Sequence, residues 1–291
     1  MSEPIPIYSG KPEDFTWVGF GSGSGTNLRE CAARVQPPAF IFSDRPKSKI
    51  AQTDPGKLIE YDLEALIGVP RIVMDGFRAC GSWKKAKGNP EREAEYRKYS
   101  QMFNQDILDV LRHWEDENDR EIDLIVLGGY MRFIMDPLLE AYADRFVNVH
   151  PSDGSFVGED AVYDAIRAGQ KTTRSSVLMV DESVDNAEQL VLGEQVGTWV
   201  SYACSDPGLK ERFLRRYTDL HQDLQKEHSD WPALTAALRF IRDGRLALGT
   251  ERTRNDGKRD VYFDGRKMYG TVEVDRNGEL LRVDSNSLFG G

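Results

Sequence analysis

An amide and an imidazole stand two residues apart in a short apolar stretch, and together they could perform acyl-transfer chemistry. The alternation around Asn148 and His150 predicts a strand whose Val147 and Val149 side chains point to the opposite face. Pro151 ends this strand because it has no N–H to donate. An amide can donate a hydrogen bond to a developing oxyanion, and an imidazole can move a proton near neutral pH. The pair alone fits equally well a turn cap beside an ordinary strand-end histidine.

A glycine-rich segment that could bind an anion follows the first predicted strand, residues 16–21. Residues 21–27 read Gly-Ser-Gly-Ser-Gly-Thr-Asn, and a helical pattern begins at Leu28. Glycines let backbone N–H groups approach a phosphate, and a helix N-terminus favours negative charge. No Walker A lysine follows, and Thr26 stands where the dinucleotide fingerprint needs its third glycine. The segment therefore predicts a phosphate site for a ligand other than a dinucleotide, and a tight strand–helix turn without a ligand is the alternative.

The elements that must position these residues alternate along the chain. The patterns predict strands at 16–21, 39–43, 70–74, 122–129, 145–150, 175–180 and 190–200, helices at 58–67, 99–114, 137–144, 159–168, 209–228 and 231–243, loops at 80–98 and 115–119, and two or three strands within 251–289. This alternation predicts an α/β fold with a doubly wound, mostly parallel sheet flanked by helices, followed by a small C-terminal β extension. Ligands of such sheets bind at the carboxyl ends of the strands, where Asn148 and His150 lie.

Composition and charge exclude several classes of protein. The 291 residues are 40% hydrophobic and carry a formal net charge of −10, so no global basic field attracts nucleic acid or anionic lipid. The three cysteines are widely spaced and form no CxxC pair, which predicts a protein of the reducing cytoplasm without a disulfide framework or a metal site. No signal peptide or membrane-spanning segment is expected from the hydropathy pattern.

Four segments occur in an order and spacing that resemble a known family. They are Gly-Ser-Gly-Thr-Asn-Leu at 23–28, Gly-Tyr-Met-Arg at 129–132, Asn-Val-His-Pro-Ser at 148–152 and Val-Asp-Glu-Ser-Val-Asp at 180–185. Lys-Glu-His at 226–228, with Pro232 and Asp-Gly-Arg-Leu at 243–246, extends the likeness. The chain resembles the glycinamide ribonucleotide transformylases and, more widely, the folate-dependent formyltransferases. The resemblance covers about residues 15–248 and implies a formyltransferase-like α/β domain there. We therefore expect an N-terminal arm over residues 1–14 and, from the strand pattern, a C-terminal β extension over 249–291 that goes beyond the usual ending of the family.

The resemblance also implies roles for individual residues. The catalytic residues would be Asn148, His150 and Asp185, the substrate phosphate would bind at Gly25, Thr26 and Asn27, the ribose at Glu227, and the folate at Arg132, Phe133, Ile134, Val180 and Asp181. The implied cosubstrate is 10-formyltetrahydrofolate, with no metal. The implied partner is a primary amine on a phosphorylated sugar or nucleotide, with no nucleic acid or membrane, and the enzyme could be a homodimer.

The chemistry of formyl transfer agrees with these roles. Transfer to an amine passes through a tetrahedral oxyanion, to which Asn148 can donate, while His150 can help to move the proton of the amine. A carboxylate near His150 would favour its protonated form, and Asp185 is the candidate. Taken alone, Asp185 fits a turn or capping residue, Glu227 a solvated helix residue and Arg132 a structural ion pair.

The chain departs from the family pattern at three places. Residues 153–156 read Asp-Gly-Ser-Phe where the family has a Leu-Leu-Pro-like stretch, Leu178 stands where a histidine is common, and Asn-Ala-Glu at 186–188 replaces a glycine tendency. A formyltetrahydrofolate hydrolase of the same fold and a non-catalytic nucleotide-binding homologue are therefore alternatives. The acidic charge and the absence of a basic C-terminal groove disfavour a transfer-RNA formyltransferase.

Overall fold

The structure is a computed structural model that describes residues 3–158, 160–182, 186–199 and 206–283. The strands are β1 (Ile5–Pro6), β2 (Trp17–Gly21), β3 (Ile41–Ser43), β4 (Arg71–Val73), β5 (Leu124–Leu127), β6 (Phe146–His150), β7 (Thr172–Thr173), β8 (Ser176–Met179), β9 (Gln189–Leu192), β10 (Val196–Gly197), β11 (Leu246–Leu248), β12 (Val261–Phe263), β13 (Arg266–Lys267), β14 (Val272–Val274) and β15 (Leu280–Val283). The α-helices are α1 (Thr26–Arg34), α2 (Pro55–Glu60), α3 (Gly76–Cys80), α4 (Trp83–Ala86), α5 (Pro90–Asn118), α6 (Leu138–Ala141), α7 (Ala161–Arg167), α8 (Pro207–Gln225) and α9 (Trp231–Arg242). Three 3₁₀ turns (Pro12–Asp14, Lys49–Ala51 and Glu64–Leu66) and a π-helical turn (Lys226–Asp230) complete the elements of the described residues. None of the helices in these ranges is long and apolar enough to cross a membrane.

The chain divides into two units, each described here by itself. The N-terminal unit comprises residues 14–148 and 180–182, and the C-terminal unit comprises the described parts of 1–13, 149–179 and 183–291. The domain boundaries predicted at 14/15 and 248/249 stay a prediction.

The N-terminal unit contains a parallel sheet in the order β6-β5-β2-β3-β4. Strands β2, β3 and β5 are wholly buried, as expected for a sheet covered by helices on both faces, whereas the edge strand β4 is partly exposed. The α/β fold class predicted from the sequence is confirmed. The chain runs outward from β2 to β4 and then returns to β5 on the other side of β2. This reversal places the switch point of the sheet at the carboxyl ends of β2 and β5, the usual place for a ligand.

The loop predicted at 80–98 is wrong. Helix α4 occupies part of this stretch, and α5 begins at Pro90. Asn89 caps α5 by accepting a hydrogen bond from the Arg92 N–H at 3.1 Å, and proline is favourable at the first helical position. Within the stretch, the ring of Tyr96 packs against Trp83 at 5.5 Å between centroids. A cap and buried aromatics therefore order a stretch whose high charge had indicated a loop.

The acidic run predicted as a loop at 115–119 is also helical as far as Asn118. Its first residue, Glu115, accepts hydrogen bonds from the Ile122 N–H and from the Tyr142 hydroxyl, both at 2.8 Å. Hydrogen bonds from residues outside the helix thus hold the Glu115 side chain, which the sequence alone predicted to lie in a solvated loop.

The described part of the C-terminal unit contains strands of mixed direction and the helices α7, α8 and α9. Strands β8 and β9 are antiparallel, β9 and β14 parallel, and β14 and β15 antiparallel. A separate antiparallel sheet has the order β1-β11-β12-β13. The strand predicted over 190–200 is divided into β9 and β10. Gly193, which directly follows β9, lies so close to the Ser229 backbone that a Cβ could not fit. The predicted terminal β extension is present, with four strands after residue 250 among the described residues rather than two or three.

Candidate functional site

The predicted phosphate loop connects β2 to α1 in the N-terminal unit. Gly25 is the N-cap residue of α1, with φ 78°, and no side chain caps the helix. The first N–H groups of an α-helix have no partner within the helix, so those at Thr26 and Asn27 can bind an anion. The side-chain Oδ1 of Asn27 is buried and has no hydrogen-bond donor among the described residues, so it can also accept from a ligand.

The shape of this loop depends on a close approach at Gly25. The 3₁₀ turn that contains Ile50 braces the loop, with the Ile50 N–H donating to the Gly23 carbonyl at 3.2 Å. A Cβ at Gly25 would overlap the Ile50 side chain, and the positive φ disfavours any L-residue. A Cβ at Gly23 would meet nothing within 4 Å. Gly25 is therefore the glycine that the loop geometry requires.

A buried ion pair lies beside the loop, at the ends of β2, β3 and β5. The Nε of Arg132 donates to the Asp44 carboxylate at 2.6 Å, and these side chains are only 8% and 1% exposed. The Ser22 hydroxyl donates to the other carboxylate oxygen and accepts from the Met131 N–H at 3.0 Å. Burial opposes the charge of Arg132, but its hydrogen bond to Asp44 and the attraction between the charges outweigh burial and raise the pKa of the guanidinium. The cluster ties the loop after β2 to the segment after β5.

Sequence reasoning did not identify Asp44 as part of this cluster. No motif described in the sequence analysis includes this residue. The available signal was its position, since Asp44 directly follows β3, next to the strand that carries the phosphate loop. The structure favours the ion-pair alternative for the Arg132 side chain, while its predicted contact with folate stays a prediction.

Hydrogen bonds to its backbone hold the rest of the predicted folate segment, Phe133 and Ile134, in place. The Asn104 side chain donates to the Phe133 carbonyl at 3.0 Å and accepts from the Met135 N–H at 3.1 Å. The Phe133 ring packs edge-on against Trp83, and Ile134 packs against the apolar core of the same unit. The amide of a buried helix residue therefore fixes the course of the chain after β5.

Two further predicted folate residues, Val180 and Asp181, lie in the same unit. The Val180 N–H donates to the Phe146 carbonyl at 3.1 Å. Val180 also packs against the core of the N-terminal unit. This contact fixes the point at which the chain enters the segment that carries Asp181.

Asn148 and His150 lie on β6, as predicted. Asn148 stands opposite Leu127 of β5 and is half-buried. His150 is 3% exposed, and its Nε2 lies 2.9 Å from the Phe156 carbonyl oxygen. Because a carbonyl can only accept, Nε2 carries the hydrogen in this contact.

The turn after β6 explains one departure from the family pattern. Asp153 Oδ1 accepts from the Ser155 N–H at 3.2 Å, and Gly154 has φ 91°. The Ser152 hydroxyl accepts from the Phe156 N–H at 3.1 Å. These contacts return Phe156 to the His150 ring, so the altered residues build the contact that orients the imidazole.

A buried polar network in the C-terminal unit supports the same turn. Gln225 is fully buried, and its amide donates to the Pro151 carbonyl at 3.1 Å and to the Ser175 hydroxyl at 2.9 Å. The Ser175 hydroxyl donates in turn to Asp230. On the other side, the Thr173 hydroxyl donates to the Gln225 carbonyl oxygen. Gln225 thus fixes the residue that follows His150.

Each member of this network has a consistent hydrogen-bond direction. Because the hydroxyl hydrogen of Thr173 goes to Gln225, the His221 Nε2 at 2.7 Å must donate to Thr173. Burial lowers the pKa of His221, which agrees with a neutral ring. Burial raises the pKa of Asp230, while the Ser175 hydrogen bond and the charges of Lys226 and His150 oppose this. Asp230 is thus the buried acceptor at the end of this network, and sequence reasoning missed it.

Two predicted site residues remain, Glu227 and Asp185. Glu227 is exposed on the π-helical turn Lys226–Asp230, so its carboxylate is accessible to a ligand. Asp185 lies outside the described residues. Near it, Glu188 is fully buried and accepts from the N–H and the Nε of Arg259, both at 3.0 Å. This departure from the family pattern therefore anchors the start of the C-terminal extension.

The comparisons with known proteins point in one direction. A family model described as formyl transferase matches residues 77–195. A phosphoribosylglycinamide formyltransferase of Bacillus subtilis (strain 168) is 45% identical over 173 residues, which are 57% of this chain and 71% of that protein. The human trifunctional purine biosynthetic protein adenosine-3 is 29% identical over 233 residues, which are 78% of this chain but only 18% of that protein. The chain thus spans most of the bacterial relative and a small part of the human one.

A solved structure shows the same fold. The phosphoribosylglycinamide formyltransferase of Anaplasma phagocytophilum aligns with a TM-score of 0.51 and 20% identity over 89% of this chain and 98% of that one. At this identity the likeness concerns the fold alone.

Proposed function

Because the chain belongs to the formyl transferase family, we propose that it transfers a formyl group from 10-formyltetrahydrofolate to a primary amine on a phosphorylated sugar or nucleotide. The observation that carries the proposal is the pairing of an amide and an imidazole, Asn148 and His150, at the carboxyl end of β6. The named activity of the Bacillus subtilis relative makes phosphoribosylglycinamide the first acceptor to test. Among the described residues, Cys31 and Cys80 are free and buried thiols, which supports a cytoplasmic reaction.

The proposed steps assign one task to each residue. The cosubstrate supplies an activated formyl carbon when bound. Asn148 donates to the oxygen of this carbon as negative charge develops there, and His150 accepts the proton that the attacking amine loses. The bond from the formyl carbon to the folate nitrogen then breaks, and that nitrogen takes up a proton as it leaves. Asp185 is proposed to favour the protonated form of His150.

The binding roles follow from the fixed backbone of the N-terminal unit. The N-terminus of α1, at Gly25, Thr26 and Asn27, is proposed to hold the phosphate of the acceptor. Backbone groups at 132–134 and 180–181 are proposed to hold the folate, because hydrogen bonds and core packing fix both segments. Glu227, which is exposed, is proposed to bind the ribose hydroxyls. We also propose a homodimer.

One assay tests the reaction class. The protein is incubated with 10-formyltetrahydrofolate, with and without phosphoribosylglycinamide, and the formylated amine and free formate are measured. Formylated amine that forms only with the acceptor supports the transferase. Release of formate without an acceptor would instead identify the hydrolase, and the absence of both products and of folate binding would leave the non-catalytic homologue.

The phosphate site predicts different effects for two neighbouring glycines. Gly25→Ala should weaken binding of the phosphorylated acceptor by about tenfold or more, since the loop must shift away from Ile50 and lose hydrogen bonds to the anion. Gly23→Ala is the matched control and should bind like the wild type because its Cβ meets open space. Titration calorimetry with the acceptor and its dephosphorylated form measures both. Equal affinity of the wild type for the two ligands would refute a phosphate site.

The oxyanion role predicts a purely kinetic defect at Asn148. Asn148→Ala should lower kcat by about 10²–10³-fold, the usual effect of losing one oxyanion donor, with KM for the acceptor little changed. Asn118→Ala is the control, because Asn118 is an exposed amide at the end of α5. A variant with the kcat of the wild type would remove Asn148 from the mechanism.

A further inference from the structure

Helix α8 has an apolar stripe on its surface in addition to its buried face. The buried face consists of Leu214, Thr218, His221 and Gln225. The surface stripe consists of Leu209, Phe213, Leu220 and Leu224, which are 44–64% exposed. The spacing of four, seven and four residues places these side chains on one side of the helix. A surface helix of a globular protein usually carries polar residues on its exposed side, so this apolar stripe indicates a surface that binds another protein.

The stripe is long enough for helix pairing. From residue 209 to residue 224 the helix rises about 22 Å, at 1.5 Å per residue. The Phe213 ring stacks on Tyr217 at 6.4 Å between centroids, and Tyr217 stacks on His221 at 5.8 Å. These stacked rings connect the stripe to the buried face and hold Phe213 in place at the surface.

Charges border the stripe in a self-complementary order. One border carries Arg212 and Arg216 in the first half of the helix and Asp219 and Asp223 in the second half. Within the described part of the chain, Arg216 and Asp219 form no ion pair, and Asp223 contacts only the exposed Lys226, at 3.0 Å. When two copies of this helix run antiparallel, the same border of each faces the other. The basic half of one copy then lies against the acidic half of its partner.

The two charge pairs have the same midpoint along the helix. Residues 216 and 219 are symmetric about the point between residues 217 and 218, and so are residues 212 and 223. A single two-fold axis at that point therefore matches both pairs at once. In a parallel arrangement this border of one copy would face the other border of its partner, so neither charge pair would form. Isologous contacts of this kind close into a dimer.

We propose that α8 is the interface of a symmetric homodimer, in which the stripe of one copy packs antiparallel on the stripe of the other. Arg216 then pairs with Asp219 of the second copy, and Arg212 with Asp223. The inference specifies the interface of the proposed homodimer and requires no step of formyl transfer. Its test measures mass alone, so its failure is distinguishable from failure of the proposed reaction.

Charge reversal on the full chain tests the interface by sedimentation equilibrium. Arg216→Asp and Asp219→Arg should each raise the dimer dissociation constant about tenfold or more, because each places like charges opposite one another twice. An equimolar mixture of the two variants should form a heterodimer with nearly the affinity of the wild type, since both opposed pairs again have opposite signs. The double variant should also recover dimerisation. Lys57→Asp, a charge reversal on α2, is the control and should leave the dissociation constant unchanged.

Three outcomes would overturn the interface. The first is a wild-type protein that stays monomeric up to about 100 µM, where even weak specific dimers form. The second is a dimer that neither single variant weakens. The third is a mixture that stays as weak as its two components, because only a contact between the reversed residues of different copies can restore affinity. Recovery in the mixture would also show that both variants are folded.

Discussion

Replacing His150 with alanine should reduce formyl transfer by about 10²–10⁴-fold, the contribution expected of a positioned general acid or base. The imidazole is 3% exposed and its Nε2 is oriented by the Phe156 carbonyl, so no other side chain can take its place without rebuilding the turn. Steady-state rates with saturating acceptor and cosubstrate measure the loss. Circular dichroism and thermal melting should show that the variant still folds cooperatively.

A second substitution separates catalysis from structure at this position. His150→Gln retains an amide N–H that can donate to Phe156, but it cannot exchange a proton near neutral pH. We therefore expect it to fold like the wild type and to be as inactive as His150→Ala. His113→Ala is the control, since His113 lies on α5 in an exposed contact with Glu117 at 3.2 Å. Turnover near that of the wild type in His150→Gln would show that proton transfer does not depend on this residue.

Replacing Arg132 with methionine should lower the free energy of unfolding by about 3–5 kcal/mol, because it leaves the Asp44 carboxylate buried without its cation. Denaturant unfolding measures this loss. Lys57→Met is the control, since Lys57 pairs with Glu60 on an exposed helix surface and its loss should leave the unfolding midpoint nearly unchanged.

The double variant Arg132→Met/Asp44→Asn tests the physical cause. Because Asp44→Asn removes the buried negative charge, most of the lost stability should return. The amide introduced at position 44 can still accept the hydrogen bond from Ser22. If Arg132→Met is as stable as the wild type but binds folate weakly, the side chain serves the ligand and not the fold.

Local patterns were sufficient for much of this protein. The alternation around Asn148 and His150 predicted β6, and the glycine-rich loop predicted the strand–loop–helix unit that ends at α1. These features depend on neighbours within a few residues, for which the backbone periodicity of strands and helices is decisive. The order of the motifs predicted the family and, with it, the chemistry.

Tertiary structure decided what depends on residues distant along the chain. Asp44 and Arg132 are 88 positions apart, and no local pattern indicates that a residue after β3 holds the charge of one after β5. The helices within 80–98 are ordered by the packing of aromatic side chains, but the many charged residues around them in the sequence indicated a loop. The turn after His150 is held by Gln225, 74 positions beyond Pro151. The sequence by itself determined which residues could do the chemistry, whereas only the packing of distant elements decided what holds them, because buried polar groups take whichever partners the fold brings within reach.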